Sequence, residues 1–509
     1  MDPNNAPPKR ILILGGGTAG WMTAALLANA WGNRGIEITL LESKAIGIIG
    51  VGEGSTPKMR RFFDQLGVAE SEWMPVCNAT YKCGIRFPHW STRKGYRSYY
   101  HPFFSISDDP TIRAFFQNST IRSRNFDVHA HPDAFFVSNY LSKNKRAPLP
   151  DAGIDYQTDY AYHFEASLIG EFLKNHALKL GVAHLIDTVT SVNQHENGDI
   201  ATLQTEEHGL VEADFFVDST GFASVLICRT LGVPFNSYKD ILFNDRAVAM
   251  PTPLDDDGSL PSQTLSTALK YGWVWKIPLS SRFGNGYVYS SDFTDEESAE
   301  RELREHLGLT EDATEARHLK MRVGRVDKSW HKNCLAVGLS QGFVEPLEAT
   351  ALMVVQDTVE TFITRFEQGG FSDRYRADFN EKVNLIFDGV KNYIFMHYKL
   401  NSRDDTEYWT VNRENTNVSD DIAAILDVWD KGGDLLGELR SQSSRLVYSP
   451  TSWYCILSGM GRFPRKPKKP KHNFQVVDPE DARVFCESML PHFPDHREAI
   501  DRMTYAEVP

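Results

Sequence analysis

The stretch ILILGGGTAGWMTAALLANAW, residues 11–31, sets the fold class. Ile11 to Leu14 is a short continuous apolar run of the buried-strand kind, GGGTAG follows at residues 15–20, and residues 21–31 continue with helix formers. A Gly-x-Gly-x-x-Gly turn between strand and helix lets the backbone approach a pyrophosphate at the positive end of the helix. Gly15, Gly17, Thr18, Ala19 and Gly20 are the candidates for that contact. Working outward, IEITLL at residues 36–41 reads as a second strand and delivers Glu42 about twenty residues past the last glycine, where a carboxylate accepts from ribose hydroxyls. Strand, loop, helix, strand and acid in this register predict dinucleotide binding by a Rossmann-like unit.

Two later stretches extend the reading. FFVDSTGFAS (215–224) and CLAVGLSQGFVEP (334–346) each look like a buried strand running into a small-residue turn. A domain for a nicotinamide dinucleotide alone is complete within roughly its first 150 to 200 residues. Strand-turn units this far along suit a two-part FAD site, one part for the adenosine and one for the ribityl chain and flavin. The expected architecture is α/β: a discontinuous FAD-binding, monooxygenase-type domain over 1–400, interrupted by substrate-region inserts at about 88–160 and 235–325 that carry a substrate-binding sheet. A largely helical C-terminal subdomain, 401–509, is expected to cover the substrate site.

Composition narrows the partners. A hydrophobic fraction of 41% and a charged fraction of 24% over 509 residues are those of a globular protein. A net charge of −13 argues against nucleic acid. The one basic run, residues 461–474, has the prolines and spaced lysines of a solvated connection. Six scattered cysteines with no C-x-x-C pair predict no metal site and a reducing, cytoplasmic setting. Lys9-Arg10 and the apolar run behind them imitate a secretory signal, but the glycines of the nucleotide loop interrupt it. No stretch reaches the roughly 20 apolar residues of a membrane span.

GWVWKIP, residues 272–278, puts two of the ten tryptophans on one side of an extended segment. Together with GGGTAG, VGEGSTP (51–57), EWMPVCNATYKCGIRF (72–87), FVEPLEATAL (343–352) and HYKLNSRDDTEYW (397–409), it makes the chain resemble the flavin-dependent halogenases of the tryptophan-halogenase family, over residues 10 to about 460. The resemblance implies FAD, used as FADH2, with O2 and chloride or bromide, and a hypohalous acid made in one compartment and used in another. Trp273 and Trp275 then shield the flavin from the organic substrate, so that its activated oxygen is reserved for halide. Lys82, the lysine of N-A-x-x-K, fixes the hypohalous acid as a haloamine or by hydrogen bonding, two options that need different protonation states. Glu348 is the matching catalytic glutamate, a stabiliser of the cationic ring and its base, and Glu345 is the decoy in the same segment. Thr350 is the expected N-cap of a following helix, and the backbone N–H groups of Thr350 and Ala351 are the implied halide site. Glu53, Gly338 and Leu347 complete the implied cofactor contacts, and His101, Phe103 and Trp453 the aromatic walls for substrate.

The chain departs from the family pattern in two places. The family reads E-S-T-G where this sequence has Glu348-Ala349-Thr350-Ala351, which points to altered halide preference or rate. Enzymes acting on free tryptophan carry paired tyrosines and a glutamate before F-R-N-F-W, whereas LLGELRSQSSRLVYSPTSWYC (435–455) offers Tyr448 and no such clamp. The expected substrate is indole or an indole derivative. A flavin-dependent aromatic hydroxylase is the alternative activity. A separate NAD(P)H-dependent flavin reductase is the expected partner, because no second nucleotide loop is visible, and a homodimer is the expected assembly if there is one.

Overall fold

In the computed structural model, which describes residues 7–44, 52–311, 313–469 and 476–505, the opening stretch folds as strand Arg10–Leu14 and helix Thr18–Trp31. Val51 and residues 470–474 of the basic run lie outside the described residues. The first strand sits in a six-stranded sheet, flanked in parallel by Glu37–Glu42 on one side and Phe215–Asp218 on the other. Cys334–Ala336 pairs in parallel with Phe215–Asp218, so both distant strand-turn segments join the sheet that the nucleotide loop begins. Parallel strands need both faces covered, and their residues are accordingly apolar throughout: Ile11, Leu12, Ile13, Phe216 and Val217 are all buried.

Between these strands the chain builds a second, seven-stranded sheet. Its order is 317–320, 246–252, 283–289, 272–278, 264–268, 84–88 and 98–102. GWVWKIP is its central strand, Gly272–Pro278, with Trp273 opposite Val288 and Trp275 opposite Gly286. A small third sheet joins Gly52–Gly54 and Thr80–Lys82 to either side of Ala161–Glu165. From residue 351 onward the described residues are largely helical, led by Ala351–Gln368 and the 25-residue helix Arg376–Leu400. Shorter helices follow, among them Leu435–Ser441 and Pro450–Gly459. The α/β class, the inserted sheet and the helical C-terminal part are those read from the sequence. Among the described residues, no helix is long and apolar enough to cross a membrane, and no cluster of three metal-ligating side chains occurs.

Candidate active site

The nucleotide loop is shaped by three different demands on glycine. Gly15 has φ +110°, and a Cβ there would lie 2.2 Å from the carbonyl oxygen of Ser219. Gly20 packs so closely that a Cβ would fall 2.0 Å from the carbonyl oxygen of Gly15. Gly17 alone faces open space, which leaves its backbone free to approach a ligand. Gly16, which the motif leaves unspecified, abuts Glu42: a Cβ there would sit 1.7 Å from the carboxylate. Glu42 in turn meets Nε2 of His184 at 2.8 Å, which orients the carboxylate at the strand end.

These residues open onto a cavity of about 620 Å³. Of the sequence candidates, Gly15, Gly17, Thr18, Ala19, Glu42, Glu53, Lys82, Trp273, Trp275, Gly338, Leu347, Thr350 and Ala351 all line it. Gly338, at φ +61°, lies where a Cβ would be 2.6 Å from that of Ala19, so the late turn closes directly on the first loop. Glu53 is pushed up to about 7 by burial. The open backbone at Gly17, the carboxylate of Glu42 and the elongated lining fit a dinucleotide cofactor. The fifth cofactor candidate of the loop, Gly20, is buried behind the others and contributes packing only.

The tryptophan pair occupies one wall, with ring centroids 6.2 Å apart. Gly286 makes room for it, since a Cβ there would lie 2.1 Å from the ring of Trp275. Trp273 Nε1 donates to Glu345 at 2.8 Å, and the same carboxylate oxygen accepts from Tyr398 at 2.6 Å and Asn244 at 3.0 Å. Burial raises the Glu345 carboxyl, and these three donors pull it the other way. The residue read as a decoy therefore fixes Trp273 to the long helix.

Lys82 lines the same cavity. It is wholly buried, donates to the carbonyl of Ser55 at 3.0 Å, and its Nζ lies 5.4 Å from the ring centroid of Phe103. Desolvation drives its amine down to about 7 against the opposing pull of Glu348. Beyond it lies an aromatic cluster. Glu348 Oε2 is 3.7 Å from His101 Nδ1, and Oε1 is 3.2 Å from His397 Nε2. Burial by itself would raise this carboxyl, yet His101, His397 and Lys82 together hold it below the usual value. Trp453 meets Tyr393 edge-on at 5.2 Å, and Tyr393 stacks on Tyr448 at 3.7 Å. Both ring nitrogens of His101, Nε1 of Trp453, the Tyr448 hydroxyl and Oε1 of Glu348 are buried without a hydrogen-bond partner. Buried polar atoms of this kind call for water or a ligand as partner.

One expectation needs correction. Thr350 does precede the helix Ala351–Gln368, but its backbone is helical, at φ −91°, and its side chain makes no capping hydrogen bond. The first-turn N–H groups are thus left to whatever the cavity holds. Ala349 adopts φ +55°, a left-handed conformation that orders the turn between Glu348 and the helix. His397, Tyr99, Tyr393 and Ser55 escaped the sequence reading; His397 stands in a quoted motif, but nothing near it signals that its ring reaches a carboxylate 49 residues earlier.

The family described as tryptophan halogenase matches residues 10–475. This chain belongs to that family. Tryptophan 6-halogenase SttH of Streptomyces toxytricini is 39% identical over 491 residues, covering 91% of each chain. Its crystal structure superposes with a TM-score of 0.83 over 97% of this chain and 100% of that one, at 36% identity. Xcc4156, a flavin-dependent halogenase from Xanthomonas campestris, gives a TM-score of 0.84 at 30% identity, covering 99% and 100%. The protein is a flavin-dependent halogenase, and its family uses FAD and O2.

Proposed function

We propose that the enzyme makes hypohalous acid from chloride or bromide in the FAD cavity and delivers it through Lys82 to indole or an indole derivative. Bound FADH2 with O2 supplies the oxidising oxygen. The protein's part begins with the N–H groups of Thr350 and Ala351, which hold halide at the positive end of the helix. Trp273 and Trp275 keep the organic ring out of this compartment. Lys82 receives the hypohalous acid at the far end, and an amine titrating near 7 has a neutral fraction able to form a haloamine at neutral pH. Glu348 stabilises the ring cation and takes its proton. A separate flavin reductase supplies FADH2.

The observation that carries the substrate reading is where the charges before Trp453 go. Arg445 pairs with Asp421, Glu438 accepts from Gln442, and Arg440 is exposed. The titratable groups that face Glu348 are His101, His397 and Lys82, and Lys82 is already bonded to Ser55. A zwitterionic amino acid entering this cluster would give up water without gaining paired charges, at roughly several kcal/mol. Indole needs only flat walls, which His101, Phe103 and Trp453 supply, and its electron-rich pyrrole carbon is the expected site of attack. Because SttH is named for tryptophan, free tryptophan is the competitor to test. With equal indole and tryptophan, supplied FADH2 and bromide, halogenated indole should dominate; a benzo-ring halotryptophan in excess would overturn the reading.

A further inference from the structure

His397 lies wholly buried in the helix Arg376–Leu400, with Nδ1 3.2 Å from the carbonyl oxygen of Tyr393 one turn earlier. A carbonyl only accepts, so Nδ1 carries a hydrogen and Nε2 is the atom that gains or loses a proton. Nε2 faces the Tyr99 hydroxyl at 3.0 Å and Glu348 Oε1 at 3.2 Å. In the neutral ring, Nε2 accepts from Tyr99 and offers Glu348 nothing, in keeping with an Oε1 that lacks a hydrogen-bond partner. In the imidazolium, the same atom donates to the carboxylate. Moving between the two states requires one proton and a turn of the Tyr99 hydroxyl. The other groups facing this pair are His101, Lys82, Tyr393, Tyr448 and Cys455, with the rings of Phe87 and Trp90 packed on the imidazole.

We propose that His397, acting through Glu348, is the final acceptor of the proton released by the aromatic ring. The inference rests on the halogenation reading above. When the ring carbon has bonded halogen, its C–H bond breaks, the electron pair restores the aromatic ring, and the proton passes to Glu348. Oε1 then hands it to Nε2, leaving imidazolium beside carboxylate until product departs. Glu348 thereby regains the negative charge that stabilises a cationic ring, which a carboxyl retaining the proton would have lost. Tyr99 sets the direction, because its hydroxyl satisfies Nε2 only while that atom is unprotonated.

The test is a single-turnover comparison of ordinary and fully ring-deuterated substrate, indole or tryptophan, whichever the wild type converts faster, with FADH2 and bromide. In the wild type, proton loss should be fast and the isotope effect near one. His397→Gln can still donate to Glu348 but cannot take up a proton. It should slow halogenation about tenfold or more, with an isotope effect well above one and FAD affinity unchanged. His397→Asn is read the same way should the longer amide not fold. A variant that halogenates at the wild-type rate, or slowly with an isotope effect near one, would reduce His397 to holding Glu348 in place and overturn the proposal. A wild-type enzyme that halogenates neither aromatic would instead refute the functional reading itself.

Discussion

Lys82 is enclosed by protein, and its chemistry follows from that enclosure. Its folded value of about 7 lies below the ordinary 10.5, so between those limits the unfolded chain binds the extra proton and stability rises with pH. The buried lysine therefore destabilises the fold most below pH 7 and least above 10.5. Lys82→Met removes the penalty while keeping the volume. It should abolish halogenation and at pH 6 stabilise the protein by roughly 2–4 kcal/mol, with a smaller gain at pH 9. Urea unfolding at the two pH values measures this; equal gains at both would mean that the amine titrates normally. Loss of activity with gain of stability is the behaviour expected of a group placed for chemistry at the fold's expense.

At the scale of elements, the strand Gly272–Pro278 holds its two indoles by different means. Trp273 is tethered by a hydrogen bond to Glu345, whereas Trp275 Nε1 has no partner and depends on the space that Gly286 leaves across the strand pair. Gly286→Ala sets a methyl 2.1 Å from the Trp275 ring, which must swing into the cavity. A loss of about 1–3 kcal/mol is expected from the overpacking, together with less halogenated product per FADH2 consumed. Unfolding midpoints and product yield read the two effects separately, and an unchanged yield would show that the ring's position does not matter. Glu345, which accepts from Trp273, precedes Glu348 by three residues in the same turn, so the shield and the acid are set by one short segment.

At the scale of the molecule, Lys82 lines the large cavity and also faces Glu348 of the aromatic cluster. In the proposed mechanism this arrangement lets an indiscriminate oxidant be formed without touching the substrate. On the same proposal the cavity at the glycine-rich loop is taken by FAD. Purified protein with NADH, FAD, halide and indole should consume no NADH at an appreciable rate, and adding an unrelated flavin reductase should start halogenation. Turnover without the reductase would show that a nicotinamide site exists in the chain.

What the sequence determined by itself is whatever depends on neighbours along the chain. The run at 11–31 specifies strand, turn and helix because buried strands, glycine spacing and helix formers act over a few residues, and Glu42 follows from the length of one strand-helix-strand unit. The motifs likewise named Lys82, Glu348, Trp273 and Trp275. Only the tertiary structure decided what surrounds them. It brought the Ser55 carbonyl to Lys82, Glu345 to an indole 72 residues earlier, and both Tyr99 and Glu348 to one ring nitrogen of His397. It also withheld the Thr350 side chain from the capping role that its position suggests. Desolvation and hydrogen-bond partnership depend on all the chain packed around an atom, and those contacts, from segments tens to hundreds of residues apart, exist only once the sheets and helices have closed.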